Sequence, residues 1–346
     1  MRSVYMNNLF KKIHLVLVTL LLSLGGCGNN DSFDSSSVDE PSEVAYTQKS
    51  LINFAVYYGW PGSLNSATLG WGVSQAKIDF INQYDLIVLG GGLEDPGHGD
   101  YANTAALAPG VHSSVEAFGY VNLGNTDSFS VATMRGKIDQ WVALGVEGIF
   151  LDEFGFDFWG GTDAEMRTRQ NTMIDYIHSK GISAFVNAWD PDDIFIKEAG
   201  NPTTLTNGDY YLAESYVFNS NGMVSFANHL VKTQKIRAAK DSTGVKALGL
   251  STTLDVSGDF EQSDFDFMAI AAQLEGLDGV SWGTLNFSAS GADNAVMPYR
   301  SFSSQYNNIK LTGSNEVNIN TETISRGNID SQSVNTNFST QTFNIQ

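Results

Sequence analysis

Apolar residues in this chain come in short, nearly unbroken runs, and the stretches between them are amphipathic. Eight runs read as strands: Asn53–Tyr58, Leu86–Gly90, Ala117–Leu123, Gly148–Asp152, Ser183–Ala188, Tyr210–Glu214, Ala247–Ser251 and Gly279–Trp282. Helical patterns lie between them at Ser74–Tyr84, Phe129–Leu144, Asp163–Lys180, Pro191–Glu198, Asn221–Ala239 and Asp264–Leu277, while 94–114 shows no clear pattern. Strands that are apolar throughout, instead of on alternate residues, belong to a parallel sheet covered by helices. The alternation over about 240 residues, Leu51 to Ala295, predicts an α/β fold closed into a (β/α)8 TIM barrel. An open doubly wound sheet fits less well, because Gly90-Gly91-Gly92 lacks the G-x-G-x-x-G opening of a helix and reads as a tight loop. The barrel is expected over 50–300. Residues 301–346, rich in Ser, Thr and Asn, form a short C-terminal extension, either a small β element or a loose tail.

A barrel of this kind works at the C-terminal ends of its strands, so the residues found there are the candidates. They are Tyr58 and Trp60 after the first strand, Asn122 after the third, Asp152 and Glu153 after the fourth, Asn187, Trp189 and Asp190 after the fifth, Glu214 after the sixth and Trp282 at the eighth. Carboxylates, amides and aromatics suit a sugar, which offers hydroxyls to hydrogen-bond and an apolar C–H face to stack. Two carboxylates from different strands, Asp152 and Glu214, suggest a glycosidase. Plainer roles stay open: an N-cap or loop ion pair for Asp152 and Glu153, a helix cap for Asp190, and lid packing for Tyr58 and Trp60. A polysaccharide-binding protein without catalysis is the alternative from another class.

Composition narrows this further. With 19 Lys plus Arg against 38 Asp plus Glu, the net charge of -19 disfavours nucleic acid and leaves a cationic polymer as an electrostatically suitable partner. The five histidines, His14, His98, His112, His178 and His229, have no ligand spacing, and the two in helical patterns, His178 and His229, are expected at the surface; neither a metal nor another cofactor is expected. Arg2, Lys11 and Lys12 precede an apolar run, Ile13–Leu24, too short to span a membrane comfortably and suited to an export signal. Its end, Leu24-Gly25-Gly26-Cys27, resembles a lipobox, so 1–27 reads as a lipoprotein signal peptide with Cys27 lipidated, and Gly28 favours the outer membrane. Residues 28–49 read as a flexible acidic tether, giving an exported, membrane-anchored protein expected as a monomer.

Tyr57-Tyr58-Gly59-Trp60-Pro61, the strand-four GIFLDEFGFD and the strand-six AESY together resemble the spherulin-4-like glycoside hydrolases, relatives of the endo-α-1,4-polygalactosaminidases. The resemblance spans about residues 51 to 290 and implies cleavage of α-1,4-linked galactosamine or N-acetylgalactosamine in exopolysaccharides of biofilms. It implies Asp152 as nucleophile, Glu214 as general acid/base and Glu153 as a supporting carboxylate. A retaining reaction would set the two working carboxyl groups about 5 to 5.5 Å apart. Another α-glycan remains open as substrate, since sugar identity depends on loop shape.

Overall fold

The computed structural model describes residues 50–108, 115–124, 129–219, 221–252, 261–283, 311–328 and 333–345. All belong to one compact unit, Glu43–Gln346. The leader ending at Cys27, the tether over 28–49, His14 and His112 lie outside the described residues.

Eight parallel strands close a barrel: β1 (Ile52–Tyr57), β2 (Leu86–Leu89), β3 (Glu116–Asn122), β4 (Gly148–Asp152), β5 (Ser183–Asn187), β6 (Tyr210–Ala213), β7 (Lys246–Thr252) and β8 (Gly279–Gly283). Each pairs with its sequence neighbour and β8 returns to β1, the order expected of a (β/α)8 barrel. The register sets Asn122 beside Asp152 and Asn187 beside Leu212, so the ends of β3 to β6 form one continuous rim.

Side chains alternate between lumen and outer layer. One buried cluster, including Phe54, Phe118, Tyr120, Phe150, Phe185, Tyr210, Leu212 and Leu248, fills the lumen. Phe185 stands at its centre, with ring centroids 5.0 Å from Phe150, 5.8 Å from Phe118 and 5.7 Å from Tyr210. Each such ring removed from water contributes about 1.5–3 kcal/mol, and together they make the barrel a solid floor. Two or four residues on from these lumen rings, the same parity returns at the strand end. Tyr58, Asn122, Asp152, Asn187 and Glu214 therefore share the lumen face with Phe54, Phe118, Phe150, Phe185 and Tyr210. Trp282 has the opposite parity. It belongs to the outer cluster with Val280, is 7% exposed and packs on Phe218 at 5.3 Å, so its ring lies between strand and helix layer and not on the rim.

Helix punctuation follows local chemistry. The helix Asp163–Ser179 starts with a capping box, Thr162 and Glu165 each bonding the other's backbone. It ends at Lys180 and Gly181, whose φ is 76°. Other elements differ from the sequence pattern. Pro191–Glu198 contains only a single helical turn, Asp192–Phe195, and Asn221–Ala239 becomes a two-residue hairpin arm, Gly222–Met223 against Phe218–Asn219, followed by the helix Phe226–Thr243. The stretch with no clear pattern holds the helix Tyr101–Leu107. Beyond the barrel, Leu311–Asn318, Thr323–Asn328, Ser333–Asn337 and Thr342–Ile345 form a separate antiparallel sheet in sequential order. Phe338 seats it on the helices Phe226–Thr243 and Gln262–Glu275, with ring centroids 5.2 Å from Phe226, 4.6 Å from His229 and 5.1 Å from Phe267.

The histidines expected at the surface are not free there. His229 is 1% exposed and links the Tyr216 carbonyl at 2.8 Å to Glu275 at 2.7 Å, while Tyr216 donates its hydroxyl to the same carboxylate. His178 bonds Asp209 at 3.0 Å, and Asp209 also accepts from the backbone of Ala184 and Thr206. An imidazole has two faces to satisfy, and in both cases a buried carboxylate satisfies one.

Candidate active site

Asp152 ends β4 with both carboxylate oxygens occupied. Oδ2 accepts from the Tyr120 hydroxyl at 2.9 Å and Oδ1 from the Asn187 amide at 2.8 Å. Burial raises its pKa above the ordinary value of 3.8, and the Asn187, Glu153 backbone and Tyr120 hydrogen bonds pull it back. Hydrogen bonds to an ionised carboxylate contribute about 1.5–3 kcal/mol each, so the donors favour the charged form. Tyr120 belongs to the rim although the sequence presents it as one more aromatic in a core strand. Gly91 makes room for it, since a Cβ there would lie 2.7 Å from the Tyr120 ring.

Glu214, at the end of β6, has a different environment. Its pKa is pushed up to about 7, first by burial and then by the negative charge of Asp152, with Lys232 and a hydrogen bond with Asn187 opposing. Asn187 thus engages both acids. Tyr58 feels the charge of both: burial and the charges of Asp152, Tyr120 and Glu214 raise its pKa, and its ring meets that of Tyr120 edge-on at 5.5 Å.

The chain turns sharply after each acid. Glu153 has φ 51° and Ser215 φ 50°, left-handed conformations that cost a residue with a Cβ about 1–2 kcal/mol. The turn after β6 is fastened to β7: Tyr216 donates to the Leu250 carbonyl at 2.9 Å, and the Ser251 hydroxyl accepts from Val217 and Phe218 at 3.2 and 3.1 Å. The turn after β4 is fastened to β5, with the Phe154 N–H on the Asn187 carbonyl at 2.9 Å and the Phe156 N–H on Asp193 at 2.9 Å. Strain that persists at such anchored positions fixes the direction in which side chains leave.

Two acceptors at this rim lack hydrogen-bond partners among the described residues: Asn122 Oδ1, on a residue only 5% exposed, and Glu153 Oε2. Buried polar atoms are ordinarily satisfied, so each exception calls for an explanation, and an incoming hydroxyl is one. Lys232, reaching over from the helix Phe226–Thr243, donates to the Glu214 carbonyl at 2.7 Å and lies 4.8 Å above the Trp189 ring. Burial lowers its pKa to about 8 against the pull of Glu214 and Asp190. No strand-end reading could find this residue, because it arrives from a helix.

The remaining candidates separate. Trp189 is 59% exposed and Trp60 41%, and two further aromatics are open to solvent on the same side, Trp71 at 81% after β1 and Phe158 at 37% after β4. Asp190 takes the plainer role: its carboxylate accepts from the Asp192 N–H at 3.1 Å and pairs with Lys235 at 2.9 Å. Burial alone would raise its pKa, but Lys235, the Asp192 N–H and Lys197 hold it below the ordinary value. Among the described residues no group of three or more His, Cys, Asp or Glu could hold a metal ion.

No family model and no curated protein matches the chain, so the motif resemblance rests on its motifs alone. Solved structures with similar folds include an alpha-galactosidase from Saccharomyces cerevisiae with raffinose (12% identity, 83% of this chain and 73% of that chain, TM-score 0.46). Others are alpha-galactosidase I from Mortierella vinacea (10%, 83% and 81%, 0.47) and dihydrodipicolinate synthase from Oceanobacillus iheyensis (12%, 67% and 68%, 0.38). These likenesses assign no chemistry to this chain, and the barrel itself is established by its strand pairing.

Proposed function

We propose that this chain is a glycoside hydrolase in which Glu214 is the general acid/base and Asp152 the nucleophile. One observation carries the reading: two carboxyl groups on the lumen face engage the same amide, Asn187, and although burial raises both, Asp152 has donors on both of its oxygens while Glu214 is pushed up to about 7. Three donors favour the anion at Asp152, while burial beside that anion keeps Glu214 protonated up to about pH 7. Paired titratable groups driven apart in this way divide into acid and base. Glu214 donates its proton to the glycosidic oxygen as Asp152 attacks the anomeric carbon, the C–O bond to the leaving sugar breaks, and a glycosyl-enzyme ester forms. Water then attacks that carbon, giving its proton to Glu214 and releasing Asp152, with retention of configuration. Glu153 supports Asp152 from the next position, Asn122 is a ready acceptor for a sugar hydroxyl, and Trp189 offers an open ring for stacking.

The substrate in this proposal is an α-1,4-linked galactosamine or N-acetylgalactosamine exopolysaccharide, cut internally. The short motifs, the open aromatics and the absence of a basic footprint support it. The enzyme is further proposed to be exported and anchored through a lipid on Cys27. Digestion of a panel of defined polysaccharides, with products read by mass spectrometry and the new anomer by NMR, tests the reaction. Cleavage of α-1,4-galactosaminan with retention supports the reading. Binding without cleavage by the wild type, unaltered in Asp152→Asn and Glu214→Gln, overturns it in favour of a binding module. Incorporation of labelled fatty acid that is lost in Cys27→Ser tests the anchor.

A further inference from the structure

The loop joining β1 to the first amphipathic helix displays Trp60 and Trp71, and Trp71 is 81% exposed. Leaving an indole in water forgoes about 1.5–3 kcal/mol of burial, so a rigid display of two of them asks for an occupant. The display is rigid. The Gly72 N–H donates to the Gly62 carbonyl at 2.8 Å, closing the segment on itself so that both indoles leave from the ends of one closed loop. Below it, Lys77, fully buried, donates to the same carbonyl at 2.7 Å, and the Gly62 N–H donates to Asp100 at 2.8 Å. Asn103 braces Asp100 at 2.5 Å, and a Cβ on Gly62 would lie 2.4 Å from Asn103 Nδ2, so the loop sits directly on its supports. The Trp60 carbonyl accepts from Tyr57, Ser63 N–H and Ser63 Oγ, and its ring meets His98 edge-on at 5.2 Å. A buried lysine is an expensive brace, since desolvation works against its charge.

Charge identifies the occupant. Between Tyr58 and Ser74 there is no Asp, Glu, Lys or Arg, in a chain of net charge -19. A peptide or polymer recognised by its charge would find no counter-ion on this loop, whereas the apolar face of an uncharged pyranose stacks on indole without one. Because the loop follows directly from Tyr58, which lies beside Asp152 and Glu214, a sugar on it is continuous with one at the carboxylates.

We infer that Trp60 and Trp71 form a second sugar subsite, separate from the carboxylates, that takes uncharged units of the polymer, N-acetylated in preference to free amine. This rests on the hydrolase reading for its polymer but is tested by binding alone. The probe is α-1,4-galactosaminan, fully N-acetylated or chemically de-N-acetylated, run in affinity gels against the full chain carrying Glu214→Gln. Adding Trp71→Ala, at a position too exposed to affect folding, weakens retention by the acetylated polymer about tenfold. Ile319→Ala, removing a 69%-exposed side chain from the separate sheet, leaves retention as it was. Lys77→Met, checked by circular dichroism for a folded barrel, reproduces the loss. In the active enzyme the Trp71→Ala loss lies in KM and grows with substrate length. Equal retention with and without Trp71 overturns the subsite, as does salt-sensitive retention specific to the free-amine polymer. Concentration-dependent self-association in sedimentation that vanishes with Trp71→Ala, without a change in retention, also overturns it and gives the indoles to a second copy of the chain. If the wild type cleaves nothing while Trp71-dependent retention persists, the hydrolase reading falls and the subsite stands.

Discussion

The corners after β4 and β6 are built alike and behave differently. Each strand ends on a lumen-facing acid, each acid is followed or accompanied by a left-handed residue, and each turn is tied to the next strand of the barrel. At the β4 corner the carboxylate is surrounded by donors, from Tyr120, Asn187 and the backbone. At the β6 corner the nearest cation, Lys232, gives a hydrogen bond to the Glu214 carbonyl and not to its carboxylate, leaving burial and Asp152 to set the proton affinity. Burial is the largest influence on both acids and raises each, and the donors at Asp152 oppose it.

The comparison breaks most severely when either acid is neutralised. Asp152→Asn and Glu214→Gln are each expected to lower polymer cleavage by at least about 10⁴-fold in kcat/KM, far beyond the effect of a lost binding contact. Polymer retention in affinity gels should persist. A smaller effect comes from the donor at the β4 corner: Tyr120→Phe removes one hydrogen bond to a charged oxygen, expected to cost about 10- to 100-fold in kcat. Because that bond favours the anion, its loss raises the Asp152 pKa, and the acidic limb of the pH–rate profile moves to higher pH. An unmoved limb would leave Tyr120 a packing residue.

Lys232→Met sharpens the other corner. Lys232 lowers the Glu214 pKa, so removing it should carry the basic limb above about 7, with a change of only a few-fold in rate at neutral pH. Lys232→Arg should restore the limb. The smallest effect is on stability. Glu214 has a folded pKa raised from 4.5 to about 7, so the folded state holds that proton more tightly than the unfolded chain. Its contribution is fully present below about 4.5 and is lost as pH rises through about 7. Glu214→Gln, uncharged throughout, should therefore melt about 3 °C above the wild type at pH 8.5 and show little gain at pH 4 by calorimetry.

Much of this arrangement is legible in the chain itself. The strands are apolar on both faces and short, so their runs survive as a pattern, and acids placed directly after such runs mark the rim. Other features depend on contacts that no run reveals. Tyr120 looks like any aromatic of AFGYVN until the strands are in register with Asp152. Lys232 sits on the polar face of a helix whose orientation only the packed barrel defines. Trp282 fails by one residue of parity, which nothing in Gly279–Trp282 fixes in advance, because its lumen side carries only Gly and Ser. The C-terminal sheet hides behind Ser, Thr and Asn, where alternation is weak and a few residues, Ile324, Val334 and Phe338, supply the apolar anchor.

That anchor ties the last residues of the chain to its chemistry. Phe338 rests on His229, whose imidazole holds Glu275 and the Tyr216 carbonyl two positions past Glu214. Trimming the sequence back to the barrel would open a greasy hollow over that imidazole and slacken the peptide that follows Glu214. A shortened version made for convenience would then test the proposed activity without the support its tail supplies.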